Sequence, residues 1–394
     1  MNTRMDRSRL NIGVYHLRPN ARTEAHIRDL AACGVDFVVC LNNDRAALDL
    51  FHKYGIGAVV TGVMPGWWGG DGNNAGKLAE AIPLVKCDAA AAGFEDHPAV
   101  WGIDIGDEPS ALDFPHYGKI FDRVNTVFPK QFPYLNLYPN YASVAKNDAV
   151  QTVNQLGTAT YEEHIARYLE CVPADYVCYD FYLYSINVPK AYENLRVVSD
   201  ACAKTGRSMW IVLQVNSNKP EVWLSENMLR FQAYTAMAYG AENIIWACYA
   251  GGWWHNHVLD ADGNQTEQYE KLKKVNAEIR TLGEEYMKFR RVSTHHVTDA
   301  PLHTGALTDV RAEDGSELVI GQMVSRHDGA QALFIAAADD PYDRAEKDVR
   351  IRFRADGRCV RAFGGCGKLP VEKLPDGSYV LTLRSNGAAM IEVR

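Results

Sequence analysis

The chain has 394 residues, of which 47% are hydrophobic and 23% are charged, and its formal net charge at pH 7 is −8. This length suits one large and one small domain, and the acidic balance argues against a nucleic-acid partner, which would need a basic face. No stretch of about 18 consecutive apolar residues occurs, so the sequence predicts no membrane-spanning helix and no membrane partner.

The N-terminal residues and the cysteines bear on where the protein works. Residues 1–9 are basic and no apolar segment follows them, so no secretion signal is expected. None of the nine cysteines belongs to a C-x-x-C pair, and the histidine pairs lack cysteine or carboxylate partners at zinc-ligand spacing. The sequence therefore predicts a cytoplasmic protein with reduced thiols and with no metal or other cofactor.

Apolar, strand-like runs alternate with helix-like segments from residue 11 to about residue 290. The predicted strands lie at 11–16, 35–41, 57–63, 100–105, 134–138, 176–182, 208–215 and 243–249. The predicted helices lie at 24–33, 45–54, 114–127, 161–171, 190–205, 226–239 and 266–288. Strict alternation implies parallel strands joined by right-handed crossovers, and eight such units fit a (β/α)8 TIM barrel of about 250 residues. A doubly wound open sheet is the competing arrangement, but residues 13–16 lack the glycine-rich phosphate turn that usually follows its first strand.

The pattern changes after about residue 290, where short alternating runs are separated by turn residues. These predicted strands lie at 318–324, 331–337, 348–353, 359–363, 378–383 and 388–393. They are typical of a small antiparallel β-sandwich. We therefore expect a catalytic barrel over residues 1–290 and an accessory β-sandwich over residues 291–394. The sandwich is expected to cover part of the barrel surface. A contact between subunits of a homo-oligomer is a second role that we consider for it.

The fourth predicted strand ends in two adjacent carboxylates, Asp107 and Glu108, followed by Pro109. A strand buried on both faces should be almost continuously apolar, so packing does not explain these acids. An acid at the mouth of a pocket, beside a like-charged neighbour, has a raised pKa and suits general acid catalysis. The competing interpretation is that both acids only cap the next helix.

Polar and aromatic residues also follow the other strands, at the end of a barrel where active sites form. Aromatic rings can stack on sugar faces, and amides and carboxylates can bind sugar hydroxyls. The candidate substrate-binding residues are His16, Trp67, Trp68, Asn136, Tyr138, Asn140, Tyr182, Asn216, Trp246 and Trp254. Cleavage of a glycosidic bond needs a protonated acid on one side of the bond and a carboxylate opposite it.

The residues at the end of strand 4 resemble a known group of enzymes. Asp107-Glu108-Pro109 is similar to the Asn-Glu-Pro-like triplet that closes strand 4 in clan A glycoside hydrolases. Residues 229–246 and 260–282 are similar to the segments that close β-galactosidase-like barrels of that clan.

This resemblance covers about residues 10–290 and implies a barrel enzyme that hydrolyses a carbohydrate substrate, with a β-linked bond favoured. It implies that Glu108 is the general acid/base. It also implies that Asp107 replaces the clan's asparagine, which contacts the sugar hydroxyl next to the reacting carbon.

The resemblance fails at the nucleophile, which in the clan is a glutamate at the end of strand 7. Gln214 aligns with it, and an amide cannot attack an anomeric carbon as a carboxylate does. Three explanations stay open. In the first, Gln214 is a substitution made to trap a substrate. In the second, another acid is the nucleophile, with Asp180 the preferred candidate and Glu221 the next. In the third, Asp107 orients a group of the substrate that itself attacks the anomeric carbon. Asp180 also has a non-catalytic interpretation, in which its carboxylate only binds substrate hydroxyls or holds the neighbouring Tyr182.

The sequence therefore predicts an exo-acting glycosidase for a short oligosaccharide or glycoside. Exo action is expected from bulky loops after strands 3, 5 and 8, including residues 142–158. Two other classes stay open on the same fold. One is a barrel that binds carbohydrate without cleaving it, which Gln214 suggests. The other is a metal-dependent sugar isomerase, for which the converging ligands would be His16, Asp107, Glu108, Asp180 and His255.

Overall fold

The structure is a computed structural model, which describes residues 3–42, 44–62, 67–68, 74–89, 93–142, 155–344, 347–356 and 359–393. The chain divides into two compact units. The first consists of Met1–Arg7, Asn11–Lys219 and Asn243–Thr266. The second consists of Ser8–Leu10, Pro220–Glu242 and Glu267–Arg394. The predicted domain boundary at residue 290 stays a prediction. Within the described residues, no helix is long and apolar enough to cross a membrane.

The regular elements up to residue 286 alternate between strands and helices as predicted. They are β1 (Asn11–Tyr15), α1 (Glu24–Ala32), β2 (Phe37–Asn42), α2 (Arg45–Lys53), β3 (Gly57–Thr61), α3 (Leu78–Ala81), β4 (Val100–Asp107), α4 (Phe114–Val127), β5 (Phe132–Asn136), α5 (Tyr161–Cys171), β6 (Tyr176–Phe181), α6 (Val188–Thr205), β7 (Ser208–Gln214), α7 (Glu226–Ala238), β8 (Ala241–Ala247) and α8 (Glu267–Tyr286). Every predicted strand and helix of this region overlaps an observed one. The single turn of α3 was not predicted.

The eight strands form one parallel sheet in the order β5-β4-β3-β2-β1-β8-β7-β6. Leu137, which follows β5, forms an isolated parallel bridge with Tyr179 of β6. Its N–H donates to the Cys178 carbonyl oxygen at 2.9 Å. Because this bridge joins the two end strands, the sheet closes, and the predicted (β/α)8 barrel followed by a β-sandwich is confirmed.

Side chains supply further hydrogen bonds between β5 and β6. The Tyr176 hydroxyl donates to the Pro133 carbonyl oxygen at 2.8 Å and accepts from the Leu135 N–H at 3.1 Å. The Tyr176 ring also stacks on Trp210 of β7, with ring centroids 4.2 Å apart. A tyrosine side chain therefore satisfies backbone groups of β5 that a strand neighbour would otherwise pair.

Side-chain caps fix where several barrel helices begin. The side chains of Thr23, Asp44 and Asn187 accept hydrogen bonds from the first-turn N–H groups of α1, α2 and α6. Thr160 and Glu163 form a reciprocal capping box at the start of α5. Each cap satisfies N–H groups that have no partner within the helix, so these residues separate the helices from the loops before them.

The second unit contains α7, α8 and two antiparallel sheets. Its strands are β9 (Phe289–Val297), β10 (Leu302–Thr304), β11 (Leu307–Ala312), β12 (Leu318–Ser325), β13 (Gln331–Ala337), β14 (Asp348–Ala355), β15 (Val360–Gly364), β16 (Gly367–Leu369), β17 (Glu372–Lys373), β18 (Tyr379–Arg384) and β19 (Ala388–Val393). One sheet has the order β10-β11-β14-β18-β17 and the other β16-β15-β19-β13-β12-β9. The six predicted strands are present. Five further strands were not predicted. β9 is mostly polar in sequence, β11 has an irregular register between Thr308 and Arg311, and β10, β16 and β17 are too short to show a period.

One apolar core lies between these two sheets. Val349, Ile351 and Phe353 alternate with more exposed residues along β14 and pack with Ile335 of β13 and Ile391 of β19. Fully burying a side chain of this size contributes about 1.5–3 kcal/mol. The sandwich therefore has its own hydrophobic core, as a period of two along its strands predicts.

A buried ion pair joins α7 to α8. The Arg230 guanidinium donates to both carboxylate oxygens of Glu278, at 2.8 and 3.0 Å, and a further nitrogen donates to Asn227 at 2.8 Å. Both side chains are almost fully buried. Such a two-point contact orients the helices, and breaking it would leave a buried charge unpaired.

We predict that Gly57→Ala destabilises the barrel, because a methyl group at this position would overlap the indole of Trp101. Overpacking of this kind costs about 1–3 kcal/mol. Urea unfolding of the two proteins should therefore show a lower midpoint for the variant. A Trp101→Leu background, which removes the obstructing ring, should shrink the effect of Gly57→Ala, and an undiminished effect there would contradict the explanation.

Candidate active site

A cavity of about 320 Å³ opens at the carboxyl ends of the barrel strands. It is lined by acids, one amide and aromatic rings that come from six parts of the sequence. The lining residues are Tyr15, Trp68, Asp107, Glu108, Asn136, Asp180, Tyr182, Trp253 and Trp254. Among these described lining residues there is no lysine or arginine. The end of the barrel that was expected to hold the site therefore does hold an acidic, aromatic cavity.

The backbone at the end of β4 turns both adjacent acids toward this cavity. Glu108 has φ +43°, in the left-handed region that residues other than glycine seldom adopt. Its N–H donates to the Asn136 carbonyl oxygen at 2.9 Å, and the Asp107 N–H donates to the Trp67 carbonyl oxygen at 2.9 Å. Consecutive residues of a regular strand would point to opposite faces, and the turn at Glu108 removes that alternation. Because α4 begins only at Phe114, the interpretation of these acids as its caps is wrong.

The Glu108 carboxyl group is held by an exposed tryptophan. The Trp68 indole N–H donates to Glu108 Oε2 at 2.8 Å. The Trp68 side chain is 56% exposed, which leaves the ring accessible to a ligand. Trp67 beside it is buried and contributes its backbone carbonyl rather than its ring.

Asn136 joins the other two acids of the cavity. Its side-chain nitrogen donates to Asp180 Oδ1 at 2.7 Å and to Asp107 Oδ1 at 3.1 Å. The Tyr141 hydroxyl donates to Asp180 Oδ2 at 3.5 Å. Asn136 and Asp180 are both buried, so these contacts replace water as their hydrogen-bond partners.

Burial raises the pKa of all three carboxyl groups, and neighbouring like charges raise those of Glu108 and Asp180 further. Burial first, then the Asp180 and Asp107 charges, hold the pKa of Glu108 well above its ordinary value. Burial and the Asp107 charge raise the pKa of Asp180 to about 7, and burial raises the pKa of Asp107 to about 6. The Asn136 N–H groups act in the opposite direction on both aspartates, because they favour the ionised form. The site therefore favours a protonated Glu108 beside aspartates that ionise near neutral pH.

Aromatic rings from the end of β1, from the residue after β6 and from the loop after β8 form another wall. Trp254 meets Tyr182 edge to face with ring centroids 4.9 Å apart, and Trp253 meets Tyr182 and Tyr15 at 5.9 and 6.0 Å. His16 contacts Trp253 edge to face at 5.4 Å and is not itself a lining residue. These rings offer apolar faces and edges to a ligand.

Two predicted binding residues after β5 anchor the chain instead of lining the cavity. The Tyr138 carbonyl oxygen accepts from the Tyr161 hydroxyl at 3.0 Å. The Asn140 backbone N–H donates to Asn194 Oδ1 at 2.6 Å, and its side-chain nitrogen donates to the Lys190 carbonyl oxygen at 3.1 Å. They tie this segment to α5 and α6.

Three more predicted residues, at the ends of β7 and β8, also lie outside the lining. Gln214 Oε1 accepts from the Tyr184 backbone N–H at 3.1 Å. Asn216 donates from its side-chain nitrogen to the Trp253 carbonyl oxygen at 2.7 Å, so it positions the loop after β8. Trp246 is fully buried and packs in the interior.

Two lining residues, Tyr15 and Trp253, were not among the predicted site residues. Tyr15 is the last residue of β1, and its place at the carboxyl end of a barrel strand was the available signal that it could line the site. Trp253 follows two glycines with positive φ, Gly251 and Gly252. A methyl group on Gly252 would crowd the His16 ring, so glycine permits the close approach of this loop.

Parts of the predicted site lie outside the described residues. These are residues 63–66, 69–73 and 143–154, which include much of the loops behind the prediction of exo action. Among the residues that are described, no group of three or more His, Cys, Asp or Glu side chains is arranged to hold a metal ion.

Comparisons with known proteins give a likeness of fold. No family model matches the chain, and no curated protein matches it. A cycloisomaltooligosaccharide glucanotransferase from Paenibacillus sp., solved with cycloisomaltoheptaose, is similar with a TM-score of 0.59 at 10% identity, over 98% of this chain and 85% of that one. An α-L-fucosidase from Paenibacillus thiaminolyticus is similar with a TM-score of 0.57 at 7% identity, over 98% of this chain and all of that one. At these identities the likeness shows the fold.

A fourth acid, Asp104, lies within β4 and does not line the cavity. Its carboxyl oxygens accept from the Cys40 thiol at 3.9 Å and from the Gly106 N–H at 3.2 Å. Burial and the Asp107 charge raise its pKa to about 7.

We predict that Asp104 makes stability fall as pH rises from about 4 to about 7. Over that range the folded protein keeps the proton that the unfolded chain, with an aspartate pKa of about 3.9, has lost. Asp104→Asn should therefore flatten the pH dependence of the unfolding free energy, by at most about 1.4 kcal/mol per pH unit. Urea unfolding between pH 4 and pH 8 measures this, with the exposed Asp122→Asn as control. Parallel curves for wild type and Asp104→Asn would contradict it.

Proposed function

We propose that this protein is a glycoside hydrolase that cleaves a glycosidic bond in a short oligosaccharide or glycoside. The observation that carries the proposal is that Glu108, directly after β4, and Asp180 of β6 line one cavity together with aromatic rings, of which that of Trp68 is exposed. Glycosidic cleavage uses one carboxyl group to protonate the leaving oxygen and a second on the other side of the sugar. A glucanotransferase and a fucosidase are among the proteins of similar fold, which agrees with carbohydrate chemistry.

Glu108 is the proposed general acid and base. Its burial and its two like-charged neighbours favour the protonated form, and an acid with a raised pKa donates a proton effectively near neutral pH. The Trp68 N–H fixes the orientation of the carboxyl group. Because Trp68 is also exposed, its ring is suited to stack on the sugar whose leaving oxygen Glu108 would protonate.

Asp180 is the proposed second carboxylate, in the place that the clan resemblance gives to Gln214. Asp180 lines the cavity and receives an N–H from Asn136 at 2.7 Å, which favours its ionised form. Gln214 has its carbonyl oxygen bound to the Tyr184 N–H and has no carboxylate to offer. Asp107, held by the same Asn136, is the proposed partner of a substrate hydroxyl.

The size and lining of the cavity support a small, hydroxyl-rich substrate. A volume of about 320 Å³ lies at the low end of ligand pockets, which suits one end of a sugar chain and therefore exo action. We propose a β-linked bond from the resemblance of Asp107-Glu108-Pro109 to the strand-4 triplet of clan A. Because an α-L-fucosidase shares the fold, the substrate panel should contain both anomers.

We predict that Glu108→Gln loses activity in proportion to how much the leaving group needs a proton. Alkyl glycosides and oligosaccharides should lose about 10²–10⁴-fold in kcat/KM, which is the usual contribution of a general acid. Nitrophenyl glycosides should lose much less, because nitrophenolate leaves without protonation. Initial rates on matched alkyl and nitrophenyl substrates, with α and β glucosides, galactosides, mannosides and fucosides, measure the difference.

The matched control is Glu162→Gln, which makes the same chemical change at an exposed position on α5. It should leave both substrate types unaffected. Normal turnover of alkyl glycosides by Glu108→Gln would remove Glu108 from the mechanism. Tight carbohydrate binding without turnover by the wild type would replace the hydrolase by a binding protein.

We predict that Asp180→Asn abolishes turnover of both alkyl and nitrophenyl glycosides, because a nucleophile or base is needed whatever the leaving group. Gln214→Glu should give no gain, because its side chain is held by the Tyr184 N–H and does not line the cavity. Activity that rises sharply in Gln214→Glu while Asp180→Asn stays active would transfer the role to position 214.

A further inference from the structure

Four buried side chains form a continuous hydrogen-bonded series behind the cavity wall. The Tyr15 and Tyr134 hydroxyls are 2.7 Å apart, and the Tyr134 hydroxyl lies 3.5 Å from the Cys178 sulfur. The Cys178 sulfur lies 3.6 Å from Asn136 Oδ1. We name Tyr15, Tyr134, Cys178 and Asn136 the buried series. It begins at one lining residue and ends at another.

The direction of every hydrogen bond in the buried series follows from its last member. The side-chain nitrogen of Asn136 has two protons, and the two aspartates accept them. Its carbonyl oxygen can only accept, so the Cys178 thiol is the donor to it. Having given its single proton, the Cys178 sulfur accepts from the Tyr134 hydroxyl, whose oxygen in turn accepts from Tyr15.

We propose that Cys178 is a positioning residue that fixes the orientation of the Asn136 side-chain amide. With the thiol donating to Oδ1, the amide N–H groups face Asp107 and Asp180. Rotation of the amide by half a turn would place its carbonyl oxygen next to the two carboxyl groups, Asp107 and Asp180, which would lose their N–H donors. It would also place the amide N–H groups next to the Cys178 sulfur, whose thiol would then have no oxygen to donate to. Cys178 thus acts on the acids through Asn136 and touches no substrate.

The residue type suits this role. Cys178 is fully buried, and burial raises the pKa of its thiol, so the group keeps the proton that it donates. Burial likewise holds the pKa of Tyr134 well above its ordinary value. The donors of the buried series therefore stay protonated over the pH range in which the aspartates titrate.

The consequence for catalysis rests on the proposed function of Asp180. Its ionised form is favoured by the Asn136 N–H and opposed by burial and the Asp107 charge. Six titratable groups face Asp180 among the described residues. They are Asp107 at the end of β4, Glu108 directly after it, Cys178 of β6, Tyr141, Tyr161 and Tyr182. Burial raises the pKa of the three phenols, so only the two carboxyl groups change charge near neutral pH. Losing the amide orientation should raise the pKa of Asp180.

The experiment compares Cys178→Ala, Cys178→Ser and the control Cys33→Ala, a buried cysteine outside the buried series. Cys178→Ala should move the acidic limb of the kcat/KM profile to higher pH by about one pH unit, the size expected for a lost hydrogen bond to a carboxylate. Cys178→Ser keeps a donor and an acceptor and should restore the wild-type limb. A side chain that only fills space would instead change the unfolding midpoint and leave the limb in place.

Carboxyl 13C NMR titration of Asp107 and Asp180 gives a second readout that does not depend on turnover. Cys178→Ala should raise their apparent pKa values by a similar amount, and Cys33→Ala should leave them unchanged. Unchanged titrations in Cys178→Ala would overturn the role of Cys178 even if the protein is a glycosidase. A wild type without activity would defeat the proposed function, while the titration would still decide the role of Cys178. Should Cys178→Ala fail to fold, Cys178→Val fills the space with an apolar side chain that has no donor for Asn136 Oδ1 and should shift the titration in the same direction.

Discussion

One asparagine amide shared between two aspartates of the same cavity is the interaction on which the site depends. Asp107 and Asp180 carry like charges in one cavity, and the Asn136 N–H groups lower the cost of ionising both of them. The described lining contains no lysine or arginine that would neutralise them. The charge state of the cavity is therefore set by hydrogen bonds to a neutral group, so that protons can enter and leave near neutral pH.

The barrel brings together residues that are far apart in the sequence. Tyr15, Glu108, Asn136 and Asp180 lie in or directly after four different strands, and the Asn216 side chain holds the loop that carries Trp253. Because all strands are parallel, their carboxyl ends meet on one side of the barrel. One local departure from regular geometry occurs at Glu108, where the left-handed backbone turns a second carboxyl group into the same cavity.

The order of strands and helices can be predicted well from the sequence, because each type of element buries apolar residues with its own spacing along the chain. Glu108 is also predictable, since packing gives no reason for an acid at the end of an apolar strand. Side-chain direction is not predictable in the same way. Gln214 and Asp180 both lie at strand ends, and only Asp180 lines the cavity, because a backbone N–H binds the glutamine. In the sequence, Trp246 is a candidate for stacking on a sugar, but in the structure it is buried in the core. Cys178 is of a residue type common in cores, yet its thiol contacts the site residue Asn136.

The closure of the barrel between β5 and β6 has a consequence for how the fold opens. An isolated bridge at Leu137, the Tyr176 hydroxyl and the Asn136–Asp180 contact join these strands, so side chains carry much of the connection. Side-chain contacts are lost more readily than a continuous backbone ladder, and regions with few such ladders open at lower free energy. Amide hydrogen exchange should then be fastest, among the barrel strands, along this seam. A ligand that contacts both Asn136 and Asp180 would link β5 to β6 and slow the amide exchange of these two strands.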